Sequence, residues 1–95
     1  MERGGSVYIL TNKNNTVLYT GVTSDLYSRI IEHREIFRAG FTTKYNIDKL
    51  VYFENFRNIE EAIAREKQIK AGSRMNKVKL IESINLEWDD ITNKI

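Results

Sequence analysis

SVYILTNKNNTVLYTG, residues Ser6 to Gly21, is two short apolar runs parted by a polar knot of Asn12, Lys13, Asn14 and Asn15. Each run is rich in β-branched and aromatic residues, and the knot carries turn chemistry, so the stretch predicts a β-hairpin. Pairing Thr11 with Thr16 sets Tyr8 directly opposite Tyr19, with both phenols on one face of the sheet and Gly21 leaving room beyond them. A cross-strand aromatic pair of this kind stabilises a sheet by roughly 0.2–1 kcal/mol even with no further role.

Working outward, Thr23, Ser24 and Asp25 offer caps for a helix that runs to about Phe37, ahead of Gly40. At about 100° per residue Leu26, Ile30 and Phe37 share one face. His33 falls inside that stripe, with Arg29 at its edge. Taken alone, His33 reads as a hydrogen-bonded core histidine and Arg29 as a snorkelling edge residue. Gly40 to Asp48 reads as a loop carrying Phe41, Lys44 and Tyr45. Leu50 to Phe53, extending toward Phe56, form a third strand.

Asn58 and Glu61 resemble a capping box for a second helix over Ile59–Ala71, which Gly72 stops. Its inward stripe carries Ile59, Ala62 and Ile63, with Glu66 in the middle. A carboxylate facing a core costs several kcal/mol unless it is ion-paired or bound to a metal, which makes Glu66 the most informative residue of the chain. Ser73 caps a third helix from Arg74 to about Ile84, with Met75, Val78 and Ile81 inward. Trp88 and Ile91 fold back on the core and the last residues fray. The order β-β-α-β-α-α is an α+β sandwich, a small sheet with helices packed against it.

The chain's 95 residues, 41% hydrophobic and 29% charged, suit one globular domain, with its core over about residues 6–91. Absence of cysteine excludes disulfides and thiolate metal sites. MERGGS lacks the apolar segment of a signal peptide and no run is long enough for a membrane span, so a cytoplasmic location is expected. A net charge of +2 does not announce a nucleic-acid binder. Its distribution says more: Arg65, Lys67, Lys70, Arg74, Lys77 and Lys79 face only Glu66, while Glu82, Glu87, Asp89 and Asp90 follow. Such a basic block is either a phosphate-facing surface or a solvated helix face.

Val7-Tyr8, Tyr19-Thr20-Gly21, Arg29, His33 and Glu66, in this order and spacing, resemble the GIY-YIG nuclease domain of homing endonucleases, of the incising subunit of bacterial excision repair and of small stand-alone bacterial proteins. LYTGVTSDLYSRIIEHR, GFTTKYNIDKLVYFE and EEAIAREKQIK are similar to the stand-alone group, and the resemblance covers about Val7 to Ile91. It implies a three-stranded antiparallel sheet flanked by three helices. It also implies an active site of Tyr8, Tyr19, Arg29, His33 and Glu66. Ser6 replaces the first motif's glycine. Val22 stands where a lysine is frequent, which leaves Lys44 as the nearest basic helper.

The activity so implied is metal-dependent hydrolysis of DNA phosphodiesters in repair or processing. Glu66 would hold one Mg²⁺ or Mn²⁺, Arg29 would fork onto the phosphate, and Tyr8 is the expected base with Tyr19 as its partner. Lys44, Arg65, Lys67, Lys70, Arg74 and Lys77 are the expected backbone contacts, which position a strand without reading its sequence. A protein partner that delivers the strand is compatible with so sparse a site. The competing expectations are a catalytically silent nucleic-acid-binding module of the same fold, and a protein-interaction domain using the Phe41–Tyr45 loop.

Overall fold

The computed structural model describes residues 4–38 and 46–95, with backbone alone for residues 36–38. Strands β1 (Gly5–Thr11) and β2 (Leu18–Thr23) precede helix α1 (Leu26–Arg38). Strand β3 (Lys49–Phe56) and helices α2 (Ile59–Ala71) and α3 (Arg74–Ile84) follow, and a 3-10 turn covers Thr92–Lys94. The three strands form one antiparallel sheet in the order β2-β1-β3. The α+β architecture is the one expected. Lys44 and the Phe41–Tyr45 loop lie outside the described residues, as does the side chain of Phe37.

The central strand explains the layering. Successive strand residues point to opposite faces, and β1 is buried on both. Val7 and Ile9 join Val51, Ala62, Ile69 and Ile81 under α2 and α3. Tyr8 and Leu10 join Leu26, Ile30, Leu50 and Ile91 on the face that α1 covers. A register shift between Ile9 and Leu10 in the β1–β3 ladder lets Val51 and Tyr52 both serve the first of these cores.

The hairpin register differs from the expected one by two residues. Thr11 pairs with Leu18, so Tyr8 lies opposite Gly21 and Tyr19 opposite Leu10. The reason is Asn12. Its buried side chain accepts from the amides of Thr16 (2.8 Å) and Val17 (3.2 Å) and donates to Thr16 Oγ1 (2.6 Å), while Thr11 Oγ1 donates to Val17 O (2.6 Å). These bonds claim Thr16 and Val17 for the loop, and Asn15 supplies its left-handed residue at φ 58. A two-residue shift keeps face parity, so Tyr8 and Tyr19 become diagonal neighbours on the same face.

The helix caps follow the sequence closely. Asn58 accepts from Glu61 N (2.9 Å), and its side-chain amide donates to Glu61 Oε1 (3.2 Å), a variant of the capping box closed by the side chain and not by the Asn58 backbone N–H. Ser73 Oγ accepts from Asn76 N, and the Asp25 carboxylate accepts from Ser28 N and Ser28 Oγ. Gly72 ends α2 in an extended conformation (φ −80, ψ 166) that leads directly into the Ser73 cap, not in a left-handed one.

Two inward assignments and one about the tail are corrected. Ile63 is 38% exposed, because the inward stripe of α2 runs through buried Ala62 and Ile69, with half-buried Ile59 and Glu66 in line with them. Met75 is 60% exposed, since at 3.6 residues per turn it lies about 120° from buried Ile81. The tail is pinned, not frayed. Buried Asn85 donates to Val51 O and Asp89 O and accepts from Asp89 N. Ile91 N donates to Leu50 O, and Arg34 reaches Asp90 and Thr92 from α1.

Candidate active site

Tyr8 is the buried floor of the site, 2% exposed, with its ring lying over Gly21. Tyr19 stands diagonally beside it with ring centroids 6.3 Å apart. As β2 is an edge strand, Tyr19 stays 44% exposed. On α1, His33 meets Tyr19 edge-on at 5.9 Å. Arg29, one turn earlier, lies on the solvent side of the site and not within the core stripe; its side chain is 46% exposed and approaches Glu32 at 3.9 Å. Glu66 enters from the buried stripe of α2 with a side chain only 15% exposed, and Lys70 Nζ lies 3.3 Å from its Oε2.

Electrostatics tie these groups together. Burial, and then the neighbouring Tyr19 phenol, push Tyr8 up to about 12; Arg29 pulls the other way, and Glu32 and Glu66 add to the rise. Burial and the Arg29 cation lower the His33 imidazole below its ordinary 6.5, against an opposing push from Glu32. Tyr19 thus touches both Tyr8 and His33, and the charges of Arg29 and, more weakly, of Glu66 across the sheet are felt at Tyr8. Glu32 is the member the sequence reading missed. Its signal was the spacing Arg29 to Glu32, which sets opposite charges on one helix face.

The expected phosphate contacts fare differently from one another. Arg65 turns toward β3, where its Nε donates to Glu54 Oε2 (3.1 Å), which also accepts from Tyr52 Oη (2.7 Å); Arg65 Nη1 donates to Gln68. Lys70 lies on Glu66. Arg74 clips α3 to the hairpin through Asn15 O (3.0 Å) and Thr16 O (3.2 Å), and Lys77 donates to Gly72 O (2.7 Å). Lys67 is exposed on α2. The block is thus partly a set of internal ties.

Residues 4–79 match the GIY-YIG catalytic domain. The chain belongs to the GIY-YIG family. Among the small GIY-YIG proteins it resembles, a UPF0213 protein of Clostridium perfringens is 40% identical over 89 residues, covering 94% of this chain and 95% of that one. A UPF0213 protein of Staphylococcus haemolyticus is 42% identical over 76 residues, 80% of this chain and 92% of the other. The solution NMR structure of a UPF0213 protein from Bacillus halodurans superposes with a TM-score of 0.59 at 31% identity, covering 94% of both chains. In this GIY-YIG chain the second motif's glycine is the Gly21 beneath the Tyr8 ring. Ser6, in place of the first motif's glycine, donates to Asn55 Oδ1 on β3 (2.6 Å). Among the described residues no helix is long and apolar enough to cross a membrane.

Proposed function

We propose that this chain is a metal-dependent endonuclease that hydrolyses DNA phosphodiesters, with Tyr8, Tyr19, Arg29, His33 and Glu66 as its site. The observation that carries the reading is Glu66: a carboxylate with a 15% exposed side chain on an apolar helix stripe, whose charge reaches the buried phenol of Tyr8. Such a group fits the protein ligand of one hard cation. Among the described residues no three His, Cys, Asp or Glu cluster for a metal, so water and substrate phosphate would complete the shell. A Mg²⁺ or Mn²⁺ ion held by Glu66 supplies neutralising charge to the phosphoryl oxygens.

The chain's own residues divide the remaining work. Water attacks phosphorus, the bond to the 3′ oxygen breaks, and one proton leaves the water while the departing oxygen takes one from solvent. Arg29, exposed and, among the described residues, with only a long 3.9 Å approach to Glu32, offers a bidentate fork to the phosphate as charge develops. Tyr8, held up at about 12 with no metal cation beside it, donates a hydrogen bond as a protonated phenol, and a bound cation would pull it back toward the role of base. His33, lowered below 6.5, is neutral at pH 7 and accepts the proton, with Tyr19 presenting its phenol to the incoming phosphate. Exposed Lys67 and Arg74 meet the strand's backbone without reading its sequence. DNA repair or processing is the setting such unselective binding suits.

One observation favours a second reading, a catalytically silent nucleic-acid-binding module. Lys70 sits on Glu66 and neutralises it in the resting state. Incubation with supercoiled plasmid, single-stranded DNA and a branched duplex in Mg²⁺, Mn²⁺ or EDTA separates the two. Cleavage in either metal and none in EDTA is expected of the nuclease. Salt-sensitive binding with no cleavage in any arm would establish the silent module.

A further inference from the structure

On the flank of α2 that carries Arg65, α2 and α3 border an open-sided cavity of about 270 Å³ lined by Arg65, Gln68, Ile69, Asn76, Lys77 and Leu80. Arg65 and Glu66 diverge by about 100° around the helix, while Ile69 borders the cavity from the inward stripe that also carries Glu66. Buried Ile69 and half-buried Leu80 make an apolar floor that belongs to the core beneath α2 and α3. Gln68 and Asn76 bring amides, each with donor and acceptor in one plane. Lys77 brings positive charge, and Arg65 brings a guanidinium whose charge the Glu54 carboxylate already shares.

Both cations are held in place. Arg65 is fixed at Nε by Glu54 and at Nη1 by Gln68, and Lys77 by its bond to Gly72 O. A guanidinium carries five N–H groups and an ammonium three. Among the described residues these bonds use two of Arg65's and one of Lys77's, so donors remain for an anion. A floor for a flat ring, amides of the kind that read base edges, and fixed cations together describe a nucleotide. The cavity lies just under the roughly 300–1,000 Å³ of drug-sized sites, which suits one nucleotide and not a dinucleotide.

We propose that the α2–α3 cavity binds a single nucleotide unit, its base on the Ile69–Leu80 floor and its phosphate at Lys77 and Arg65. The site is separate from the one at Tyr8 and extends the nucleic-acid reading beyond it. The unit is either a free mononucleotide or one residue of a strand.

The test is backbone-amide NMR of the labelled full chain in EDTA, where no metal-dependent cleavage intervenes. AMP, UMP, inorganic phosphate and a short oligothymidylate are titrated in turn. Saturable shifts at Gln68, Ile69, Gly72, Asn76, Lys77 and Leu80 are expected with a nucleotide, and binding about tenfold weaker with inorganic phosphate. A strand as the source shows the same shifts at lower oligothymidylate concentration, and a free nucleotide as the source shows them with AMP or UMP alone. Lys77→Glu weakens binding about tenfold, and Asn76→Leu weakens it less, each with an otherwise unchanged spectrum. Shifts confined to Tyr19, Arg29 and His33, no shifts at all, equal binding of inorganic phosphate, or indifference to both substitutions would overturn the proposal. Because no turnover is read, its failure leaves the cleavage reading standing, and the reverse holds too.

Discussion

The phenol of Tyr8 lies directly above Gly21, so closely that a Cβ at position 21 would come within 2.4 Å of Tyr8 Cζ and Oη. Gly21 is opposite Tyr8 in the β1–β2 ladder, and its missing side chain is the room the phenol occupies. Gly21→Ala must push the ring away, and a well-packed interior resists such additions at about 1–3 kcal/mol. A urea midpoint lowered to match, with Tyr8 fluorescence altered, is the expected outcome.

Asn12 organises the hairpin loop through bonds to the amides of Thr16 and Val17 and to Thr16 Oγ1. Asn12→Ala strands those groups in a partly buried site, a loss of about 1–3 kcal/mol by the usual cost of unsatisfied donors. Chemical unfolding measures it. Asn12→Asp, which retains both acceptor contacts, is expected to recover most of the loss.

Asn12 also marks what the sequence left unread. Strand identity, helix bounds and caps were legible because Asn58, Glu61 and Ser73 act within three residues of their own position. The pairing register was not, because one buried asparagine captured Thr16 and Val17 for the loop, a choice local propensity does not see. Parity kept Tyr8 and Tyr19 together despite that shift. The burial of Glu66 was readable from its place between Ala62 and Ile69, while the exposure of Ile63 and Met75 depends on how α2 and α3 roll on the sheet. Nothing in the basic run Arg65 to Lys77 disclosed that Arg65 turns to Glu54 or that Arg74 ties down the hairpin, since those partners are distant in sequence.

His33 sets an acid limit on both stability and rate. Its folded pKa lies below 6.5, so between the two values the unfolded chain binds more protons and stability falls as pH drops. The stabilisation is complete above 6.5. His33→Gln is expected to flatten the pH dependence of the unfolding midpoint in that window. Cleavage should fall over the same acid range in the wild type, since a protonated imidazole cannot accept a proton.

Tyr8 and Tyr52 set the alkaline limit. Burial leads in raising both to about 12, helped at Tyr52 by its bond to Glu54. A raised pKa holds its stabilisation below the unfolded value near 10 and loses it as pH climbs toward 12. Spectrophotometric titration should show two phenols ionising late and together with unfolding. Tyr52→Phe removes one of them and moves the alkaline transition upward.

The most direct measurement compares single-turnover cleavage of DNA by the wild type and by Glu66→Gln in Mg²⁺ and Mn²⁺, with the fold of each verified by its amide spectrum. Loss of a single group that acts on the developing charge typically costs about 10²–10³ in rate. A metal-dependent wild-type rate that drops by that factor in a folded Glu66→Gln protein is what this account predicts. Equal rates in the two proteins would contradict it.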